Sequence, residues 1–414
     1  MALEVRRIEP NEREEWIRSL HIPFLETPNE DTVRHWEEHL ETDRAWLAFD
    51  GGVAVGNCCV FSRNVTVPGL PGSPCPTVPL AAISGVGVHP THRRRGLLRR
   101  MVAVMLDDAI GHNEPVAGLL ASEGSIYSRF GFGWATSSVR VSIQRRAARV
   151  SNSVPDLALR LCSAREAAER VPMLFEQSRL RRPGEIDRNA ASWSDLFGSR
   201  RVGTFGERYF AVGDEGYVIY RTTSTWSSEP TVLRVDDLAG VTVDAESGLW
   251  QYLLGIDLID SIVANRPFDE PLRWRLEDPR ALTVTSWNDR LWIRLLDVPA
   301  ALTARRYITD GCLVLQVDPA AEHAAADGDP APDPIAGRWV LDVGPDGASC
   351  RPALRREQPD LRMSATALGS VFLGGQEITS LAAAGLVTEL QPGTLARAEL
   401  LFRSHPLPFS STGF

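Results

Sequence analysis

The chain contains no lysine, so all 44 of its basic residues are arginine. That absence excludes whole chemistries. A phosphate-loop NTPase needs the lysine of its Gly-Lys-Ser/Thr turn, and pyridoxal enzymes and Schiff-base aldolases need a lysine amine. Long apolar runs are missing too: no window reaches the roughly 18 uninterrupted apolar residues of a membrane span. Residues 1–7 pass at once into mixed charge rather than into the apolar segment of a signal peptide. A cytoplasmic protein without a membrane partner is therefore expected. Cysteine is sparse. Cys58, Cys59, Cys75, Cys162, Cys312 and Cys350 are scattered without metal-ligand spacing, a pattern of free, mostly buried thiols rather than a disulfide framework. Positive charge is not in excess either: the net charge of -9 disfavours nucleic acid as a partner and favours cationic small molecules.

What is present is a chain of 414 residues, 43% hydrophobic, which exceeds one domain and can bury a large core. Residues 1–150 read as alternating α and β elements, with strands over 3–8, 45–50, 53–63, 80–88, 116–121 and 136–143 and helices over 11–19, 30–41, 97–110 and 124–130. Residues 151–289 carry strands over 209–212, 217–221 and 231–235. Within them, residues 238–244 followed by a helix over 246–259 repeat the strand-turn-helix rhythm of residues 86–110 without its arginines and glycine. Residues 290–414 open on a strand over 291–298 and add a helix up to Tyr307, a strand over 338–343 and helices over 365–372 and 379–384. A flexible surface loop is expected over 319–337, and the last residues, 406–414, form an extended tail. The fold class expected is α/β followed by α+β, with domains at 1–150, 151–289 and 290–414.

Two segments carry chemistry. In the first, the apolar strand at Val86, Gly87 and Val88 runs into a basic turn, Arg93-Arg94-Arg95-Gly96, and then into a helix beginning Leu97-Leu98-Arg99. First-turn N–H groups lack intrahelical partners and sit at the positive end of the helix dipole, so this is a cradle for a pyrophosphate. Gly96 allows close backbone approach, and arginine forks match phosphate oxygens. A phosphorylated cofactor follows. The second segment is Ser122-Glu123-Gly124-Ser125-Ile126-Tyr127-Ser128-Arg129-Phe130-Gly131. Here the Tyr127 hydroxyl, with an ordinary pKa near 10, is a neutral proton donor at pH 7.

The order of elements and the Arg93-x-x-Gly96-x-Leu98 turn resemble the GCN5-related N-acetyltransferase (GNAT) superfamily, whose turn is usually Gln/Arg-x-x-Gly-x-Gly/Ala. Leu98 departs from the last position of that pattern. The resemblance implies that turn amides hold the pyrophosphate of coenzyme A while residues 83–88 bond its pantetheine arm. The cofactor set is then Val86, Gly87, Val88, Arg93, Arg94, Arg95, Gly96, Leu97, Leu98 and Arg99, with Ser122 and Glu123 beside it. Tyr127 stands where such enzymes protonate the leaving thiolate. Together with Asp297-Val298-Pro299-Ala300-Ala301-Leu302 and the terminal phenylalanine, these segments resemble the Eis (enhanced intracellular survival) family along essentially the whole chain.

That resemblance implies acetyl-coenzyme A as cosubstrate and amines of aminoglycosides or other cationic polyamines as acceptors. It also implies two tandem GNAT-like domains, the second degenerate, then a sterol-carrier-like α+β domain, assembled as a homohexamer. The final carboxylate, on Phe414, is implied as general base. Substrate recognition is expected around Phe24, Glu26, Trp36 and the aromatic turn over 130–134. His89 and His92 have no evident third ligand, so no metal is expected. A peptide or lysine N-acetyltransferase and, from another class, a lipid or sterol carrier are the alternatives.

Overall fold

The computed structural model describes residues 3–28, 30–150, 157–198, 205–224, 229–324 and 333–414. Trp16, Ile17 and Leu20 share one side of the helix Arg13–His21, and Leu97, Met101, Met105 and Ala109 one side of the helix Leu97–Gly111. Both sets are buried, as the 3.6-residue period requires. They cover opposite faces of a seven-stranded sheet: Leu47 and Phe49 join the first cluster, and their neighbours Trp46 and Ala48 the second. Its spatial order is Leu3–Arg7, Ala45–Asp50, Val53–Thr66, Thr77–Val88, Val116–Leu120, Leu291–Leu295 and Gly133–Trp134.

A second seven-stranded sheet runs in the order Leu282–Asp289, Ser137–Gln144, Ser261–Arg266, Val232–Gly240, Gly216–Thr222, Tyr209–Val212 and Arg160–Cys162. A third, of five strands, runs Gly347–Pro352, Gly337–Gly344, Gly311–Asp318, Leu361–Ser364 and Val387–Glu389. Two strands depart from the sequence reading. Ser137–Gln144, grouped there with the first sheet, pairs with Ser261–Arg266 and Leu282–Asp289 of the second. Leu291–Leu295, read as the opening of the third unit, instead completes the first sheet between Val116–Leu120 and Gly133–Trp134. Ser137–Gln144 alternates and Leu291–Leu295 is buried throughout, and neither local pattern says which sheet receives the strand. The helices Ala164–Arg179 and Ala190–Phe197 went unread, although Ser163 and Glu166 form a capping box at the start of the first. Of the expected loop over 319–337, residues 321–324 are helical and residues 325–332 lie outside the described residues.

The first and third sheets share one core, which runs from Trp16 and Phe61 through Ile293 to Leu341, Phe372 and Phe402. Arg294 pins this junction. It donates to the Phe130 carbonyl and pairs with Asp333 at 2.9 Å, with both charged groups buried. Asp333 also accepts from the Ala320 N–H at 2.9 Å. Arg294→Leu removes a buried ion-pair partner of that carboxylate and its bond to the Phe130 carbonyl, so urea unfolding should show a loss of about 3–5 kcal/mol. An unchanged midpoint would contradict this role.

Candidate active site

Thr77–Val88 and Val116–Leu120 pair in parallel at only three positions, Leu80, Ala81 and Ala82. Beyond Ala82 the first strand stays on Val53–Thr66 as far as Val88, while the second follows Leu291–Leu295 as far as Leu120. They diverge into a wedge. A register shift opposite Asn57 and Cys59 adds a residue at the bend, where Gly85 has φ +59° and a Cβ would lie 2.7 Å from the Trp16 ring. Asn57, fully buried, donates to the Gly85 carbonyl at 2.5 Å. The bend is thus built into the core rather than left to a loop.

The wedge opens on a cavity of about 630 Å³ lined by Val86, Gly87 and Val88 on one side and by Ser122, Glu123, Ile126 and Tyr127 on the other. Arg93, Arg94, Gly96, Leu97, Leu98 and Arg99 close one end. Gly96 takes φ +78°, a left-handed conformation that an L side chain resists, yet a Cβ there would meet no protein atom within 4 Å. The requirement is one of backbone conformation, not of space within the protein. No side chain caps the helix Leu97–Gly111 and no acid stands in its first turn, so its N–H groups remain available to an anion. Of the three arginines, Arg93 and Arg94 face the cavity. Arg95 instead pairs with Asp50 at 3.0 Å and is absent from the lining. Arg95 and then His92, 3.2 Å away, hold the Asp50 carboxyl below its ordinary range.

Tyr127 ends the short helix Gly124–Tyr127 and is 7% exposed. Its ring meets that of Phe132 edge-on, 6.2 Å between centroids. Burial, with smaller effects from Cys58 and Glu123, pushes its pKa up to about 12. The hydroxyl therefore keeps its proton across the neutral and mildly alkaline range. Cys58, in the same cluster, is fully buried and its thiol is pushed well above the ordinary value, which removes it as a nucleophile.

The third domain enters this cavity through Glu322, on the short helix Ala321–Ala324. Its carboxylate lies 2.6 Å from Arg99 and 3.6 Å from Arg129. Both arginines line the same cavity, so Glu322 screens cations that a polyphosphate would use. Glu322→Gln should lower the acetyl-coenzyme A dissociation constant by about three- to tenfold at low salt, with the gain fading as salt rises. Titration calorimetry at two ionic strengths checks this.

A second cavity, of about 380 Å³, is lined by His35, Trp36, His39, Phe61, Arg63, Ser84, Arg188, Asn189, Asp195, Asp236 and the last residues, Ser411 to Phe414. Trp36 stacks on Phe61, 6.2 Å between centroids and 22° between planes. His35 lies 3.3 Å from Asp195, which comes from the second domain. The tail is not frayed: Phe409, Ser410 and Thr412 are 5%, 1% and 2% exposed. Ser84 and Val86, two residues apart on one strand, therefore line the two cavities.

Over 429 aligned residues the chain is 34% identical to an uncharacterized N-acetyltransferase of Streptomyces griseus, with 99% of each chain covered. It is 32% identical to the N-acetyltransferase Eis of Mycobacterium tuberculosis, with 92% of each covered. The chain belongs to the Eis family of GNAT acetyltransferases. The solved structure of Eis1 from Mycobacterium abscessus matches it with a TM-score of 0.86 at 34% identity across the whole of both chains. Acetyltransferase (GNAT) domain models match residues 4–135 and 184–295, and a sterol carrier protein domain model matches residues 298–411. The protein is thus an N-acetyltransferase with acetyl-coenzyme A as acyl donor, and the wedge, the open helix start and the two cavity-lining arginines of the turn suit that donor's pyrophosphate.

This Eis-family chain carries a second wedge. Val232–Gly240 and Ser261–Arg266 pair in parallel over only three positions, Val232 to Arg234, and the helix Val243–Gly255 follows. Here the anion site is closed. Thr242 caps the helix, Asp244 and Glu246 occupy its first turn, and buried Arg266 bridges the gap, donating to the Leu238 carbonyl at 3.1 Å and pairing with Glu246 and Glu270. Only about 80 Å³ remains, roofed by Pro406 and Phe409 of the tail. Among the expected substrate residues, Trp36 lines the second cavity and Phe24 the first. Glu26 belongs to neither lining; its exposed carboxylate lies 3.8 Å from His21. In the aromatic turn, Phe130 lines the first cavity, Phe132 is core and Trp134 packs on Trp287. Sequence reasoning missed Glu322, Arg188 and Asp195, which reach the cavities from distant segments and carry no local signal, and His35, which adjoins the expected Trp36. His89 bonds Ser19 at 3.0 Å and His92 contacts Thr91 and Asp50; no cluster of three metal-ligating side chains occurs among the described residues. No helix among them is long and apolar enough to cross a membrane.

Proposed function

We propose that this protein acetylates primary amines of cationic polyamines, aminoglycosides included, by direct attack on the thioester. The supporting observation is the pair of cavities that share one strand at Ser84 and Val86. Acetyl-coenzyme A supplies the acetyl group as a thioester in the first cavity. The amine enters the second, beside the Trp36 and Phe61 rings, where Asp195 and the terminal carboxylate favour a cation. Phe414 takes the proton that the attacking nitrogen loses, through water. An α-carboxyl with an ordinary pKa near 3.5 is a weak base for an ammonium, so this relay works on an amine whose own pKa the site lowers. Tyr127 donates its proton to the sulfur as the carbon–sulfur bond breaks. Holding both reactants on one strand supplies much of the rate.

Thiol release measured with aminoglycosides, linear polyamines and lysine peptides, with product masses, tests the reading. Release that depends on the polycations, with one acetyl mass added per amine modified, is expected. Release only with peptides would make the protein a peptide acetyltransferase, and none with any amine would leave a carrier. We also infer a cytoplasmic homohexamer from the family resemblance; light scattering that returns a single chain's mass would refute the assembly.

A further inference from the structure

The carboxy-terminal segment is held along its length, not only at its end. Arg182 donates to the Leu407 carbonyl at 2.7 Å, the Leu407 N–H donates to Asp269 at 2.8 Å, and Arg182 and Asp269 pair at 2.7 Å. The Phe409 N–H donates to the Pro183 carbonyl at 2.9 Å. The densest contact is at Glu185. Its carboxylate accepts the N–H groups of Ser411 and Thr412 at 2.9 and 3.1 Å, and their hydroxyls at 2.9 Å each. Arg188 donates to the same two hydroxyl oxygens at 2.8 and 3.1 Å. Burial works against its charge, but Asp237, 2.5 Å away, outweighs it and keeps the guanidinium ionised. Glu185 is 6% exposed, and polar oxygens that buried need several donors to converge on them. Here nearly all of them belong to the tail.

The same stretch is keyed to the catalytic sheet. Gly184 N–H donates to the Thr66 carbonyl at 2.7 Å, Thr66 N–H to the Glu185 carbonyl at 2.8 Å, and Asp187 N–H to the Asn64 carbonyl at 3.1 Å. Residues 184–187 thus dock on the end of Val53–Thr66, the strand that pairs with the one carrying Ser84 and Val86. Gly184 has φ +88°, and a Cβ there would lie 2.8 Å from Thr136 and 3.2 Å from the Phe409 nitrogen. Tail, second domain and catalytic sheet therefore meet at one short segment. Only Gly413 separates Thr412 from Phe414, so a fixed Thr412 leaves the last carboxylate a reach of roughly 7 Å.

We propose that Glu185 is a positioning residue that sets the terminal carboxylate in the second cavity, and that the degenerate second domain is kept as the anvil for this clamp. The functional half of this proposal rests on the reading of Phe414 as proton acceptor. The test uses the full chain, Glu185→Gln, the chain ending at Gly413, and both changes together. Glu185→Gln should lower kcat by roughly ten- to a hundredfold with acetyl-coenzyme A affinity unchanged. In the chain ending at Gly413 the same substitution should change kcat by less than about twofold, because both act through one group. Additive losses, or unchanged kcat in Glu185→Gln while the shorter chain is impaired, would overturn the proposal. Release of Phe414 from native protein by carboxypeptidase A reads the clamp without catalysis, and should be at least about tenfold faster in Glu185→Gln. Equal release overturns the clamp. Faster release together with full activity of the shorter chain refutes the role of Phe414 and leaves the clamp standing. Thr412→Val, which removes one donor to the same carboxylate, replaces Glu185→Gln if that variant does not fold.

Discussion

Tyr127→Phe should lower turnover by about 10²- to 10⁴-fold while the acetyl-coenzyme A dissociation constant stays within about twofold. The substitution removes one oxygen and keeps the ring that packs on Phe132, so the loss reports the proton and not the fold. The pH dependence has a definite sign. A pKa raised to about 12 means that the donor is present at neutral pH and is lost only as pH climbs towards that value. Wild-type kcat should therefore show no alkaline decline attributable to Tyr127 below about pH 10. If Tyr127→Phe were as fast as wild type, water would be the proton source and the assignment would fail.

Removal of Phe414 should cost about 10²-fold in kcat, again with little change in cofactor affinity, because the first cavity contains no tail residue. Formate or acetate added to the shortened chain should restore part of the lost rate in proportion to its concentration, since a small carboxylate can occupy the vacated volume. Full activity without any added anion would show that the Phe414 carboxylate is not required, either because the new Gly413 carboxylate, in the same cavity, replaces it or because the amine enters already neutral. Loss without rescue would assign the residue to the shape of the cavity.

The parts of the site that were legible in the sequence are those whose chemistry is local. Gly96 and the uncapped start of its helix line the first cavity from consecutive residues, and Tyr127 lines it from one short motif. At Gly96 a left-handed backbone, φ +78°, adds a conformational reason for glycine that the sequence did not show. Arg95 looked equivalent to Arg93 and Arg94, but Asp50, from a different strand pair, draws it away. Nothing within ten residues of Glu322 or Asp195 announces a cavity, because each is brought there by docking of another domain. Leu291–Leu295 shows the same limit at the level of the fold. Its apolar character predicts a buried strand, and only long-range pairing reveals that it completes a sheet begun at Leu3. The role of Phe414 rests on family resemblance alone; what Glu185 and Arg188 fix is the backbone and hydroxyls of Ser411 and Thr412 just before it.

In the reaction we propose, donor and acceptor are held at once on either side of the strand bearing Ser84 and Val86. Initial rates of thiol release over a matrix of acetyl-coenzyme A and polyamine concentrations test it most directly. Reciprocal plots that intersect, with release strictly dependent on the amine, are the predicted result. Parallel lines, the mark of an acetylated enzyme that turns over without both reactants bound, would contradict it.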